Sequence, residues 1–391
     1  MASNQRENER RERRNKKRDK KRLVIWIILI AVIVALALMK LSEINFSALF
    51  HSIGDGSGIS ETVSDDSNFP YHISGDGASQ LAVIGNRIAI LNDSVYTVIN
   101  SSNAQERIRD EHGYVNPILR VSGGYSILFD QGANTYRLDS ATENIYENSV
   151  DENILCADVS DTGVVSVATV SGIHKSRITV YGKSFLEKMN YEISGGYVTS
   201  IAISNNSRYV AFTVMSSENA KIKSTLYVMP VGYNEPKAKF EYSGSSILDI
   251  HFSSNDLYVV GNDFVSVIAS LEKEIPVYEQ GTIDTVAYCY NPSDALIIAF
   301  GEYVGAPDNI ISYVKPSGQI KAQAAVSAQI KDVTASGTEM TVLTGGEIIS
   351  FKIRNGKESL RLPADDSYTE IAQMSSKIYG MRSSELELVN Q

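Results

Sequence analysis

The sequence of 391 residues predicts an all-β chain, an eight-bladed β-propeller preceded by one N-terminal transmembrane helix. Three observations predict it. From residue 70 onward, a unit of two short apolar strands joined by a tight polar turn recurs about every 41 residues, the length of a four-stranded blade. Residues 1–22 carry eleven Lys/Arg against four Asp/Glu, whereas residues 41–391 carry 24 basic and 42 acidic groups. Between these segments of opposite sign lie residues 23–39, with no charge, Gly, Pro, Asn or Gln.

The repeat is read from its landmarks. Each first strand ends in a small residue: Gly85, Ser122, Ser160, Ser204, Ser253, Asn291, Ser336 and Ser375. Copies such as Ala157-Asp158-Val159-Ser160, Ile201-Ala202-Ile203-Ser204 and Ile250-His251-Phe252-Ser253 show the alternation of a strand packed on one face. Second strands follow at 125–129, 209–214 and 296–300, and third strands at 177–181, 225–229 and 310–314. Fourth strands are the least legible, because one edge of each faces water. The last unit, from residue 370, holds only three strands: 370–374, 377–380 and 385–389. A strand near 69–74 is expected to complete it, which closes the ring and removes two edges. Eight blades follow, or seven if the unit near Leu81 belongs to the closing blade.

Ile203-Ser204-Asn205-Asn206-Ser207-Arg208-Tyr209-Val210 and Tyr290-Asn291-Pro292-Ser293-Asp294-Ala295-Leu296 carry a resemblance to the turn between strands in TolB-like and WD-repeat propellers, and Val159-Ser160-Asp161-Thr162-Gly163 is a partial copy. No Trp-Asp pair ends a strand. The whole chain also resembles an uncharacterised bacterial family, filed as a domain of unknown function, with a basic N-terminus, one membrane helix and an outer propeller. That resemblance implies an architecture and no site.

The apolar run fits a signal anchor. It opens at Leu23, and its seventeen residues reach about 26 Å as a helix, enough for a hydrocarbon core once Leu41 joins and Lys40 snorkels. Arg18, Lys20, Lys21 and Arg22 abut it and set its orientation, with the N-terminus cytoplasmic and the C-terminal domain extracytoplasmic. Ala35-Leu36-Ala37 has the form of a signal-peptidase site, but the apolar run continues past it, so an uncleaved single-pass anchor is expected. The chain divides into a cytoplasmic segment 1–22, a transmembrane helix 23–41 in the lipid bilayer of the cell membrane, a juxtamembrane linker 42–69 and a propeller 70–391. The basic segment lacks aromatic interleaving, so it fixes topology rather than reading nucleic acid.

Composition removes most chemistry. Residues 70–391 contain no Trp, which excludes the tryptophan-rich docking motifs of quinone-dependent dehydrogenases and Asp-box turns. No GxSxG, HExxH or phosphate loop is present. No cofactor is implied. His251 and Asp158, Asp249, Asp284 and Asp332 sit on or beside first strands, where they line a channel, hold a cation or brace neighbouring blades. Cys156 and Cys289 fall in blades three and six, too far apart to bridge. Three long loops between second and third strands, 171–176, 216–224 and 301–309, share one face. Tyr303 and Val304 are candidate apolar anchors for a protein partner, and Lys221 and Lys223 candidate steering charges for an acidic one. The expected function is a non-enzymatic protein-binding or scaffolding module at the cell surface. The alternatives are an extracytoplasmic hydrolase or lyase with a carboxylate-lined channel, and a transmembrane sensor.

Overall fold

The computed structural model describes residues 68–75, 77 and 80–390. The segments expected as cytoplasmic (1–22), transmembrane (23–41) and most of the linker (42–67) lie outside the described residues. Among the described residues, no helix is long and apolar enough to cross a membrane.

Eight antiparallel sheets of four strands make up the described chain. Seven are built from strands consecutive in sequence, here lettered a to d within each blade. The a strands are Gln80–Ile84, Pro117–Ser122, Ile154–Val159, Tyr197–Ile203, Ile247–Ser253, Asp284–Tyr290, Ile330–Ala335 and Glu370–Met374, each ending at or just before a repeat landmark. They pack on one another from blade to blade, and that of blade 8 packs on that of blade 1, which places them around the axis of a closed ring. In blade 8, strands a to c come from the C-terminus and strand d is Tyr71–His72, with Tyr71 opposite Leu386 and His72 opposite Glu385. The ring has eight blades, and the N-terminal strand closes it.

The landmark residues recur because their side chains tie the a–b turn. Ser160 Oγ accepts the Val164 N–H (3.1 Å), Ser204 Oγ accepts those of Arg208 and Tyr209 (3.1 and 3.0 Å), and Asn291 Oδ1 accepts that of Ala295 (2.9 Å). Three residues after each landmark the backbone is left-handed, at Gly163, Ser207 and Asp294. This shared geometry explains the three turn motifs.

Core clusters lie between neighbouring sheets. Strands b and c are covered on both sides, so Val95–Asn100 and Leu296–Gly301 are apolar almost throughout. The d strands meet a neighbour on one edge only, so Glu106–Glu111 buries Ile108 alone. In blades 3 to 7 the a strand skips register near its start, as between Ile247 and Asp249, a β-bulge that re-aims the side chains after it toward the axis.

The expected loop at 216–224 is instead a hairpin. Strands b (Tyr209–Glu218) and c (Lys221–Pro230) of blade 4 run ten residues each and pair to Glu218 opposite Lys221. Asn219 and Ala220 both take positive φ, the requirement of a tight two-residue hairpin turn. Its outer half is polar because water surrounds both faces, so no alternation marks it as strand.

Strand direction defines two faces. The b–c loops and blade-to-blade connections share one, called here the connection face; the a–b and c–d turns share the other, the turn face. Strand d of blade 8 starts at the turn face and strand c ends there, so the described chain enters at Asn68 and leaves at Asn390 on the turn face.

Candidate functional site

Side chains from the a strands of several blades converge on the axis. Asp249 of blade 5 is 3% exposed and is approached by Arg120 of blade 2 (Nη2–Oδ1 3.4 Å), Ser200 Oγ of blade 4 (3.5 Å) and Tyr290 OH of blade 6 (3.4 Å). Arg120 and Asp249 are three blades apart, so the pair spans the lumen. The Asp249 carboxylate raises the Arg120 pKa, outweighing the partial desolvation of its guanidinium in the lumen. His251 stacks on Tyr290 with ring centroids 3.9 Å apart, and its Nε2 lies 3.6 Å from Asp294 Oδ1. Its strand neighbours Ile250 and Phe252 face away, into the core between blades 4 and 5. Burial pushes the Cys156 thiol up to about 12, so it keeps its proton at neutral pH and is no nucleophile. Cys289 is likewise a free thiol. Among the described residues, no three His, Cys, Asp or Glu side chains are grouped to hold a metal ion.

Other acidic and amide groups of the a strands latch blade 1 to 2, 3 to 4, 7 to 8 and 8 to 1. The Leu119 N–H donates to Gln80 Oε1 (2.7 Å), Ile203 to Asp158 Oδ2 (2.9 Å), Ile371 to Asp332 Oδ2 (2.8 Å) and Leu81 to Glu370 Oε2 (2.6 Å). These bonds satisfy strand N–H groups that face a blade boundary. Asp158 and Asp332, two of the expected channel carboxylates, are therefore braces. Asp284 opens its strand, at the opposite end from Tyr288 and Tyr290. Gln80 and Glu370 had no sequence signal beyond opening an a strand.

The latches make stability depend on pH. Burial raises Asp158 and Asp332 to about 6, and burial followed by the Asp332 charge raises Glu370 to about 7. Each keeps some accessible surface because it faces the lumen, but protein encloses it. An acid with a raised folded-state pKa binds its proton more tightly when native. Stability therefore falls as pH rises from about 4 through these values, and the loss is complete near pH 8. Glu370→Gln keeps an acceptor for Leu81 and removes the charge beside Asp332. It is expected to stabilise the domain by about 1–3 kcal/mol at pH 8 and to do nothing at pH 4. Urea titrations at the two pH values check this; equal effects at both would show that ionisation of Glu370 is not the cause.

The connection face is different in character. Large apolar side chains stand exposed along it: Ile173 in the b–c loop of blade 3, Tyr197, Met215 and Ile222 in blade 4, and Leu248 on the bulge of blade 5. Tyr303, Val304 and Ile310 follow in blade 6, and Val115 precedes them between blades 1 and 2. Among the described residues of the turn face, only Phe185, Leu186 and Tyr233 are comparable. The blade 6 loop is pinned at its base, where buried Asn309 donates from Nδ2 to the carbonyls of Ala306 and Ala328 (2.8 Å each). Its crown is free, with Tyr303 53% and Val304 70% exposed.

Lys221 and Lys223 belong to the blade 4 hairpin, two blades from Tyr303. Lys223 is engaged within the hairpin region, its Nζ 2.9 Å from both Glu218 and Glu241; Lys221 sits at the tip, exposed. A groove of about 430 Å³ runs beside the hairpin between blades 3 and 4, with Tyr191, Glu192, Val214, Ser217, Lys223 and Tyr227 in its walls. Gly196 allows the connection to lie against it, since a Cβ there would meet the Met215 carbonyl oxygen at 2.2 Å.

A family model matches residues 68–390. The chain belongs to DUF5711, a family of unknown function. No curated protein matches it. Among solved structures, the DUF5711 propeller is similar to the computationally designed Ika8 protein, with TM-score 0.57, 12% identity, and 83% of this chain and 98% of that one covered. BamB from Moraxella catarrhalis gives 0.50, 11%, 82% and 98%, and Saccharomyces cerevisiae Sqt1 gives 0.57, 9%, 83% and 98%. At such identities the likeness establishes the fold.

Proposed function

We propose that this DUF5711 protein is a non-enzymatic binding module that docks a protein partner on its connection face while residues 23–41 hold it at the outer surface of a membrane. The observation that carries the reading is the asymmetry between faces: rigidly mounted apolar side chains collect on one and are sparse on the other. The lumen supports it. Arg120 and Asp249 neutralise each other, and Asp158, Asp332 and Glu370 are committed to neighbouring backbone, a bracing arrangement rather than a reacting one.

Tyr303→Ala with Val304→Ala is expected to weaken partner binding by about 1–3 kcal/mol and leave the melting temperature nearly unchanged, because both side chains are exposed while the loop base is pinned elsewhere. Calorimetry and a binding titration on the same variant decide it; lost stability with intact binding would move the partner site away from blade 6. The membrane part has its own test. Protease added to intact protoplasts should remove the propeller and spare residues 1–22. Survival of the propeller until lysis would reverse the orientation.

A further inference from the structure

We infer that the partner segment received by the connection face is basic: a polypeptide whose apolar side chains are flanked by Lys and Arg. The inference rests on the binding-module reading and adds the partner's chemistry to it.

The two faces differ in charge as sharply as in apolar content. Between strands on the connection face, the carboxylates are Asp151 and Glu152 after blade 2, Glu302 and Asp308 in blade 6, and Asp365 and Asp366 after blade 7. Asp93, Asp263 and Glu279 add to them, against the cations Lys175 and Arg382. Arg382 is spent on Asp365 and Glu387, each at 3.0 Å, and Lys331 on Asp366 at 2.8 Å, so Asp365 and Asp366 are already paired and the attracting charge rests on the other carboxylates. Between strands on the turn face the signs balance, with Glu143, Asp161, Glu235, Glu272 and Asp294 against Lys183, Arg208, Lys237, Lys315, Arg354 and Lys357. Among the residues between strands, the acidic excess thus lies on the face that also presents Tyr303, Val304, Tyr197 and Ile173.

Three consequences follow. An apolar anchor ringed by carboxylates attracts a segment of opposite charge and repels acidic proteins, nucleic acid and anionic lipid. Glu302 and Asp308 flank Tyr303 and Val304 in one pinned loop, so the anchor and the attracting charges are presented together. Lys223 is satisfied by Glu218 and Glu241, so of the two lysines only exposed Lys221 at the hairpin tip stands against this acidic surround. The described chain enters and leaves on the turn face, so its two described ends do not obstruct this surface.

The test uses the full-length chain in non-ionic detergent and a random peptide library displayed on phage. Enriched peptides should carry net positive charge together with Leu or aromatic residues. Their synthetic versions should lose about tenfold or more in affinity between about 0.05 M and about 0.5 M NaCl. A variant combining Asp151→Lys, Glu152→Lys, Glu302→Lys and Asp308→Lys should lose binding, whereas Glu143→Lys with Glu235→Lys on the turn face should keep it. Neutral or acidic peptides that still depend on the connection face overturn the partner's charge and leave the binding module standing. No enrichment, or enrichment that only the turn-face variant abolishes, overturns both. A peptide of residues 1–22 is the competitor: displacement of the selected peptides at equal concentration would make the chain's own basic segment the occupant and overturn an external partner.

Discussion

Deleting residues 366–391 is expected to abolish cooperative unfolding and drive the protein to aggregate. The deletion removes strands a, b and c of blade 8: Glu370–Met374, Lys377–Met381 and Glu385–Leu388. Strand d, Tyr71–His72, is then left with no sheet to join. It also strips both neighbours. Toward blade 1, Tyr379, Met381 and Leu386 pack on Ile88, Ile90 and Ile99, and the Tyr379 hydroxyl donates to the Ser101 carbonyl (2.7 Å). Toward blade 7, Ile371 and Ile378 pack on Leu343 and Ile348. Five large buried side chains at about 1.5–3 kcal/mol each amount to roughly 10 kcal/mol, the scale of a domain's entire net stability. Two sheet edges open at the same time. Removing only residues 68–74 forfeits one strand pairing of two residue pairs and Ile73, so that variant should melt lower but still cooperatively. Calorimetry with light scattering separates the two. A monomeric 366–391 deletion with an unchanged melting temperature would mean that the ring does not need to close.

The parts legible in the sequence are those whose local chemistry repeats. Ser160, Ser204 and Asn291 could be found because each ties the same turn with a side-chain oxygen. The closing blade could be found because three strands after Glu370 leave a fourth to be supplied. The d strands were harder: Asn144–Ser149 and Glu358–Pro363 face water along one edge and carry charge where an inner strand carries Val or Ile. The hairpin at 216–224 failed for a related reason, since strand beyond the sheet has no buried side to impose alternation. The lumen was only partly legible. Periodicity puts His251 and Asp249 on one side of a strand, but nothing local pairs Asp249 with Arg120, 129 residues away. The charge asymmetry of the faces is invisible in a linear reading, because Asp151, Asp308 and Asp365 reach the same face only through the alternating direction of strands around a ring.

Replacing Arg137 with Met is expected to cost about 3–5 kcal/mol at pH 7.5, far more than loss of any exposed ion pair. Arg137 is 2% exposed and lies between blades 1 and 2 with its guanidinium over the Tyr96 ring, 5.8 Å from the centroid. It makes a bidentate bond to Asp139 within its own strand, Nε–Oδ2 2.8 Å and Nη2–Oδ1 2.7 Å, and its Nη1 reaches Asp110 on the outermost strand of blade 1. Asp139 is fully buried, and Asn144 Nδ2 is its other donor, at 3.0 Å. Methionine fills much of the volume but leaves that buried carboxylate with one neutral partner, where an unpaired charge is far more expensive than the pair was worth. Burial already raises the Asp139 pKa, against the opposing effect of Arg137, so losing the arginine raises it further. The sign follows: the cost is full above the new folded-state pKa and shrinks as acidification protonates Asp139, so variant and parent should converge as the pH is lowered. Adding Asp139→Asn should recover most of the loss at pH 7.5, because the stranded group is then neutral. Arg361 on the outer strand of blade 7 is the contrast. It also holds two carboxylates, Glu347 and Glu358, but in water, and Arg361→Ala should leave the urea midpoint where it was. A pH-independent loss in Arg137→Met, unrelieved by Asp139→Asn, would assign the effect to packing against Tyr96 rather than to the buried charge.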